Sequence, residues 1–243
     1  MASLSARDRL IVALDFQSVA GARELVTRLG PAVTFYKIGL ELVMAGGLEL
    51  ARELTRAGAR VFLDMKLLDI ENTVERATRS AASTGATFLT VHATDGKTLR
   101  AAVAGKAGTD LRILGVTMLT NLDADDLREQ GLTGTPEEIV ARRAATARAA
   151  GCDGVVASGL EAARVRAVVG PGISIVTPGI RLPGGATGDQ ARVATPQTAI
   201  AAGADYVVVG RPINAAADPR RAAESFVQAI EEALAMRALG PPG

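Results

Sequence analysis

The sequence has little of what several common classes of protein require. Its 243 residues include one cysteine, Cys152, one histidine and no tryptophan, and aromatic residues make up only 3% of the total. A single cysteine excludes an intramolecular disulfide framework and a metal site built from several thiolates, and it favours a cytoplasmic location. Few aromatic rings argue against stacking platforms for single-stranded nucleic acid. We therefore expect no nucleic-acid partner.

Long apolar runs and an excess of one charge are also missing. No uninterrupted apolar run reaches the roughly 18 residues that suggest a membrane span. Residues 1–8 are polar and charged, without the apolar core of a secretory signal. The 27 Lys and Arg residues balance 26 Asp and Glu. No overall field therefore draws the chain to a membrane surface or to nucleic acid, and an anionic ligand would need a local cluster of donors.

What the sequence does contain is a regular alternation of short β-branched runs with longer segments of helical period. This alternation predicts βαβ units, and hence a parallel sheet covered by helices. The predicted strands are residues 10–14, 33–38, 60–65, 88–91, 112–118, 154–157, 174–176 and 206–209. The clearest amphipathic helices are predicted over 19–29, 41–57, 73–84, 136–150 and 219–235.

Eight such units in this length favour a closed (β/α)8 barrel, the α/β fold called the TIM barrel, over an open doubly wound sheet. Two smaller domains would also fit the length, but no linker rich in Pro or Ser interrupts the pattern, so we expect one domain over residues 1–243. The polar connection 117–135 is predicted to be a solvated loop with a short helix. The glycine-rich stretch 183–188 suits a closing loop as well as a segment without function.

Charged residues collect where the predicted strands end. The run 61–70 places Asp64 and Lys66 two residues apart in an apolar strand, so both side chains are expected to leave the same face of the sheet, and Asp69 follows just beyond. Carboxyl ends of barrel strands form the active-site face. Neighbouring strands end in the same way, at Asp15, Lys37 and His92.

This repetition favours a functional network. One inward charged pair would indicate an ion pair that fixes strand register, because unpaired buried charges are costly. Several charged residues at successive strand ends are harder to explain as ion pairs that fix register. Carboxylates keep a nearby lysine cationic, so that it can protonate a carbanion, while a carboxylate beside it repels a substrate carboxylate. The pattern suits a decarboxylation, and equally an enolate reaction, so it does not identify the substrate.

Two further segments are typical of an anion site. One is Thr-Pro-Gly-Ile-Arg at 177–181, and the other contains Gly210 and Arg211 at the end of the eighth strand. Barrel enzymes often bind phosphate after strands 7 and 8. Gly210 would let backbone N–H groups approach the phosphate, and Arg211 would add a charge-assisted contact. A tight turn with a solvated arginine is the alternative, and the position in the fold favours phosphate binding.

Together these motifs resemble the orotidine 5'-phosphate decarboxylase family. The similarity covers nearly the whole chain and is carried by Ala13-Leu14-Asp15, Tyr36-Lys37-Ile38-Gly39, the run from Asp64 to Val74, Thr90-Val91-His92-Ala93, the segment 177–181 and Val209-Gly210-Arg211. The Asp-x-Lys-x-x-Asp motif is shared with related decarboxylases and synthases, whereas Thr-Pro-Gly-Ile-Arg is more discriminating. Glu71 departs from the family, since many relatives carry proline there, but a first helical turn accepts glutamate.

The resemblance implies a cofactor-free and metal-free carboxy-lyase that converts orotidine 5'-phosphate to UMP, the last step of de novo UMP synthesis. Lys66 would protonate C6 of the pyrimidine, Asp64 would lie beside the substrate carboxylate, and Lys37 would link the charge network to the ribose. Further implied contacts are Asp15 and His92 at the ribose, Thr120 and Ser158 near the pyrimidine, Pro178 at the leaving carboxylate, and Arg181, Gln190, Gly210 and Arg211 at the phosphate. Asp69 and Thr73 would reach into the neighbouring subunit, which implies a homodimer with shared active sites.

Three alternatives remain open at this point. A phosphosugar enzyme of the same barrel group, such as a 3-keto-L-gulonate 6-phosphate decarboxylase or a hexulose-phosphate synthase, would use magnesium, and Glu41 is better explained as helix surface than as its ligand. A ribulose-phosphate epimerase would need more histidine ligands than one. A non-catalytic nucleotide-binding barrel would leave the charged cluster unexplained.

Overall fold

The β-branched runs form the strands of a closed parallel barrel. The computed structural model describes residues 4–184 and 194–239. The strands are β1 (Leu10–Ala13), β2 (Phe35–Gly39), β3 (Arg60–Leu67), β4 (Phe88–His92), β5 (Arg112–Val116), β6 (Gly154–Val156), β7 (Ser174–Thr177) and β8 (Tyr206–Val209). Each strand pairs in parallel with the next in chain order, and β8 closes the barrel against β1. The predicted (β/α)8 barrel is confirmed.

One short helix precedes β1, and the other helices follow the strands and cover the outside of the barrel. They are α1 (Ala6–Arg9), α2 (Val19–Leu29), α3 (Leu40–Met44), α4 (Gly47–Arg56), α5 (Glu71–Ala82), α6 (Gly96–Gly105), α7 (Ala124–Glu129), α8 (Pro136–Ala149), α9 (Ala162–Val169), α10 (Pro196–Ala201), α11 (Arg211–Asn214) and α12 (Pro219–Leu239). Local sequence signals set several starts. At α8, Thr135 and Glu138 form a reciprocal capping box and Pro136 occupies the first turn.

The observed elements agree with the predicted ones except in one helix. Each predicted strand boundary lies within two residues of the observed boundary. The predicted helix over 41–57 is wrong, because it is divided into α3 and α4. Gly46 has a φ of 94°, which L side chains rarely adopt, and a Cβ at Gly47 would lie 2.6 Å from the carbonyl oxygen of Leu42. The polar connection 117–135 contains the short helix α7, as predicted.

The barrel has two apolar cores. The inner one fills the barrel and contains four aromatic rings, with the Phe88 centroid 5.2 Å from both Phe35 and Tyr206 and 5.9 Å from Phe62. The guanidinium of Arg112, at the start of β5, lies 5.2 Å from the centre of the Phe88 ring. The larger outer core lies between strands and helices. Because Phe35 and Phe88 begin their strands, the rings close the amino-terminal end of the barrel and leave space at the carboxyl end.

The β3–β4 pair departs from a regular ladder. Leu63 pairs with Leu89, but the next pair is Leu67 with Val91. Residues 64–66 of β3 therefore oppose Thr90 alone, and Lys66 has a φ of 48°. The side chains of Asp64 and Lys66 are nevertheless in contact and line one cavity, as predicted, although β3 is irregular between them.

Nothing in the helices of the described residues is both long and apolar enough to cross a membrane.

Candidate active site

Four charged side chains form an alternating chain at the carboxyl end of the barrel. Nζ of Lys37 lies 3.0 Å from Oδ1 of Asp15 and 3.6 Å from Oδ2 of Asp64. Nζ of Lys66 lies 2.8 Å from Oδ1 of Asp64. β1, β2 and β3 are neighbours in the barrel, so their ends bring these residues together. The clustering predicted from strand ends is therefore present for Asp15, Lys37, Asp64 and Lys66.

Burial and opposite charges act against each other in the centre of this chain. Burial by itself lowers the pKa of Lys37, but the carboxylates of Asp15 and Asp64 outweigh it and the pKa of Lys37 is raised. Burial by itself raises the pKa of Asp64, but Lys37, Lys66 and the Thr90 hydroxyl bring it below its usual value. The network thus keeps Lys37 cationic and Asp64 anionic at neutral pH.

Thr90 connects β4 to this network. Its hydroxyl donates to Oδ1 of Asp64 at 2.9 Å and accepts the backbone N–H of Lys66 at 2.9 Å. Sequence reasoning used Thr90 only as part of a family motif. The signal that could have found it is its spacing, because Thr90 precedes His92 by two residues in β4 and so shares its inward face.

The charged groups border an otherwise apolar cavity of about 150 Å³. It is lined by Lys37, Asp64, Lys66, Phe62, Val116, Met118, Leu119, Thr120, Val156, Pro178 and Val208. Pro178 and Thr120 were predicted as substrate contacts. Sequence reasoning missed the other uncharged walls, because a buried strand residue gives no sign of whether it faces a ligand. Charged groups against apolar walls act in a weakly screened environment, where their effect on a reacting group is large.

A second, more polar cavity of about 280 Å³ adjoins the first, since Lys37, Pro178 and Val208 line both. Its other lining residues are Ala13, Asp15, Gly179, Arg181, Gly210 and Arg211. The two arginines thus lie where the sequence predicts an anion site. Burial and the charge of Arg211 lower the pKa of Arg181, which indicates that the two cations are close together.

Asn214, which sequence reasoning missed, fastens this end of the site to β1. Its Nδ2 donates to the carbonyl oxygen of Ala13 at 2.8 Å. Its backbone N–H donates to the carbonyl oxygen of Gly210 at 3.0 Å. A Cβ at Gly210 would lie 3.2 Å from Oδ2 of Asp15, so a side chain there would crowd that carboxylate. The segment that carries Arg211 is therefore held close to Asp15.

Other predicted residues lie around this centre. His92 ends β4, and burial with the charges of Lys66 and Arg143 lowers its pKa below 6.5. Ser158 is buried and its Oγ accepts the backbone N–H of Leu160 at 3.4 Å, but it lines neither cavity. Asp69 is exposed, Thr73 is partly buried, and neither lines the two cavities of the described chain.

Gln190 and residues 185–188 of the predicted closing loop lie outside the described residues. Within residues 4–184 and 194–239, no group of three or more His, Cys, Asp and Glu side chains is arranged to hold a metal ion. Glu41 is exposed in the first turn of α3, as expected for helix surface.

Comparison with known proteins identifies similar chains. An orotidine 5'-phosphate decarboxylase of Methylobacterium sp. (strain 4-46) is 56% identical over 233 residues, which cover 95% of this chain and 98% of the relative. The enzyme of the same name from Methylobacterium radiotolerans is 57% identical over 221 residues, covering 91% and 95%.

A solved structure described as orotidine 5'-phosphate decarboxylase from Lactobacillus acidophilus has a TM-score of 0.82 and 36% identity, covering 91% of this chain and 98% of that one. The family model described as "Orotidine 5'-phosphate decarboxylase / HUMPS family" matches residues 8–226. The resemblance seen in the motifs is thereby confirmed, and the chain belongs to the orotidine 5'-phosphate decarboxylase / HUMPS family.

Proposed function

We propose that this chain is a carboxy-lyase that converts orotidine 5'-phosphate to UMP and carbon dioxide in pyrimidine biosynthesis. The observation that carries the proposal is the alternating chain Asp15–Lys37–Asp64–Lys66, which lies where an apolar cavity meets a cavity lined by two arginines. A nucleotide whose base carries a carboxylate needs an apolar cavity with charged groups for the base and a cationic cavity for the phosphate. The names of relatives more than 50% identical support the same substrate.

Phosphate binding is assigned to the second cavity. Arg181 and Arg211 provide positive charge there, and Gly210 leaves the backbone accessible. Gln190 remains a predicted donor. Asp15, which lines the second cavity, would bind a ribose hydroxyl, with Lys37 between it and Asp64. The pyrimidine would then occupy the apolar cavity, beside Thr120 and Pro178.

The chemistry follows from the charges at that cavity. The Asp64 carboxylate lies beside the substrate carboxylate and repels it. The bond from C6 to the carboxylate breaks, carbon dioxide leaves, and the electron pair stays on C6. The Lys66 ammonium, held next to Asp64, donates a proton to C6 to give UMP and is reprotonated from solvent. Fixed charges in a water-poor cavity stabilise the developing carbanion without reorganisation during the reaction.

The dimer with shared sites belongs to the same proposal. Leu40, Met44, Leu68 and Ile70 are 48–83% exposed and lie in the segments after β2 and β3, two neighbouring strands. Exposed apolar side chains grouped in this way favour a contact between protein surfaces. Asp69 lies between two of them in the chain, so a second subunit seated there would receive its carboxylate.

The experiment is to follow the absorbance of orotidine 5'-phosphate after addition of protein in EDTA. Lys66→Ala should lower kcat by at least roughly 10³-fold, because general acid catalysis contributes on that order. Lys97→Ala, an exposed lysine on α6, is the matched control and should leave kcat unchanged. No turnover by well-folded wild-type protein contradicts the proposal, and magnesium-dependent turnover of a phosphosugar would favour the related synthases.

A further inference from the structure

The irregularity of β3 leaves one backbone donor without a ladder partner. Between the pairs Leu63–Leu89 and Leu67–Val91, β3 advances by four residues while β4 advances by two. The three β3 residues in between, 64–66, cannot all pair with the backbone of Thr90. The N–H of Lys66 instead donates to the hydroxyl of Thr90 at 2.9 Å. A side chain thus replaces the carbonyl group that a regular parallel ladder provides.

The conformation of Lys66 needs such support. Its φ of 48° lies in the left-handed region, and it is the only non-glycine residue with positive φ among the described residues. A residue with a side chain is strained in that region and persists there where its surroundings hold it. The fully buried Thr90 provides a fixed acceptor on the neighbouring strand.

The direction of both hydrogen bonds follows from the groups involved. A backbone N–H donates, so the Thr90 oxygen must accept from Lys66, and its single proton remains for Oδ1 of Asp64 at 2.9 Å. Oδ1 of Asp64 also accepts a hydrogen bond from the Lys66 ammonium, at 2.8 Å. The backbone and the side chain of Lys66 are therefore tied to one carboxylate oxygen, and Thr90 closes the ring.

We infer that Thr90 is a positioning residue for the decarboxylation, because its hydroxyl holds Asp64 and Lys66 in register with each other through the ring of three hydrogen bonds. This inference rests on the proposed function. Thr90 itself does not line the cavity, so it acts through the two residues that do. Removing only its hydroxyl frees both the Lys66 backbone and one Asp64 oxygen, while the volume at the site is kept.

The test compares Thr90→Val, which removes the hydroxyl, with Thr90→Ser, which keeps it. We expect Thr90→Val to lower kcat for orotidine 5'-phosphate by roughly 10²-fold, the scale of a small misplacement of catalytic groups, with KM little changed. Thr90→Ser should restore most of kcat. Thr78→Val is the matched control, since Thr78 in α5 is also fully buried but its hydroxyl has no partner among the described residues.

Each outcome bears on a different statement. Absence of turnover by the wild-type protein overturns the proposed function, and this inference with it. An active wild type with an equally active Thr90→Val overturns the inference alone. Equal losses in Thr90→Val and Thr90→Ser also overturn it, because packing and not the hydroxyl would then be responsible. If Thr90→Val does not fold, Thr90→Ala and Thr90→Ser form a second pair that differs by one hydroxyl, with the same expected ratio.

Discussion

The side-chain nitrogen of Lys66 lies 2.8 Å from Oδ1 of Asp64, two residues earlier in the same strand. The backbone of Lys66 is in the left-handed region, with a φ of 48°. In the proposed reaction the carboxylate that repels the substrate also holds the proton donor that replaces the departing group. Under that proposal, the ion pair serves both bond cleavage and the proton transfer that follows.

Arg211→Ala should separate phosphate binding from chemistry. We expect kcat/KM for orotidine 5'-phosphate to fall by roughly 10²-fold, because a charge-assisted contact to the phosphate is lost. Activity on orotidine, which has no phosphate, should barely change. Steady-state kinetics with both substrates measure this, with Arg164→Ala, an exposed arginine on α9, as the control. Equal losses with both substrates would contradict a phosphate role.

Mixing two inactive variants should test the shared site. Asp69→Ala and Lys66→Ala are each expected to abolish activity alone. If Asp69 completes the partner's site, hybrid dimers contain one site with both native residues, and mixing should recover up to about a quarter of wild-type activity after random exchange of subunits.

The control for this experiment is a mixture of Lys66→Ala with Asp64→Ala. Both residues belong to the same subunit's site, joined by the 2.8 Å ion pair, so exchange cannot restore them together. Recovery with Asp69→Ala but not with Asp64→Ala supports the shared site. Failure of both mixtures, with exchange verified by mass spectrometry, would argue against it.

His92 should make the protein less stable in weak acid. Burial and the charges of Lys66 and Arg143 lower the pKa of His92 in the folded state below 6.5. The unfolded chain then binds more protons, so this contribution to stability is present above about pH 6.5 and is lost as the pH falls through the folded pKa.

Urea unfolding of wild-type protein and His92→Gln over a series of pH values measures this effect. We expect the free energy of unfolding of the wild type to fall more steeply from about pH 7 to about pH 5 than that of the variant. Other acidic groups titrate in both proteins and cancel in the comparison. Parallel curves would show that folding leaves the pKa of His92 unchanged.

Gly46→Ala should destabilise the fold by about 1–2 kcal/mol, because a Cβ is strained in the left-handed region. The φ of Gly46 is 94°, between α3 and α4. Gly172→Ala is the matched control, since an added Cβ there meets nothing within 4 Å and φ is not in the strained range. Equal thermal midpoints for the two variants would show that the helix break does not depend on glycine.

Much of the fold and the centre of the site could be predicted from the sequence. Strands buried on both faces read as continuous apolar runs, so their positions were found to within two residues. Ionisable residues at strand ends stand out against that background, and Asp15, Lys37, Asp64 and Lys66 do meet.

The remainder depends on tertiary geometry that no local pattern reports. The register shift opposite Thr90 arises from pairing between two strands, and neither strand alone contains a sign of it. The break at Gly46 was missed because apolar spacing continues through it. Ser158 follows a strand like the other predicted residues, yet it is buried away from both cavities.

The aromatic layer at the amino-terminal end affects how substrate and products enter and leave the barrel. Phe35, Phe88 and Tyr206 are at most 4% exposed, and Phe62, 2% exposed, lines the apolar cavity. Within the described residues, this layer therefore closes the barrel behind the apolar cavity, at its amino-terminal end. In the proposed reaction, a nucleotide bound above this layer would itself shield C6 from solvent. Carbon dioxide would then leave either past the bound UMP or after UMP has dissociated.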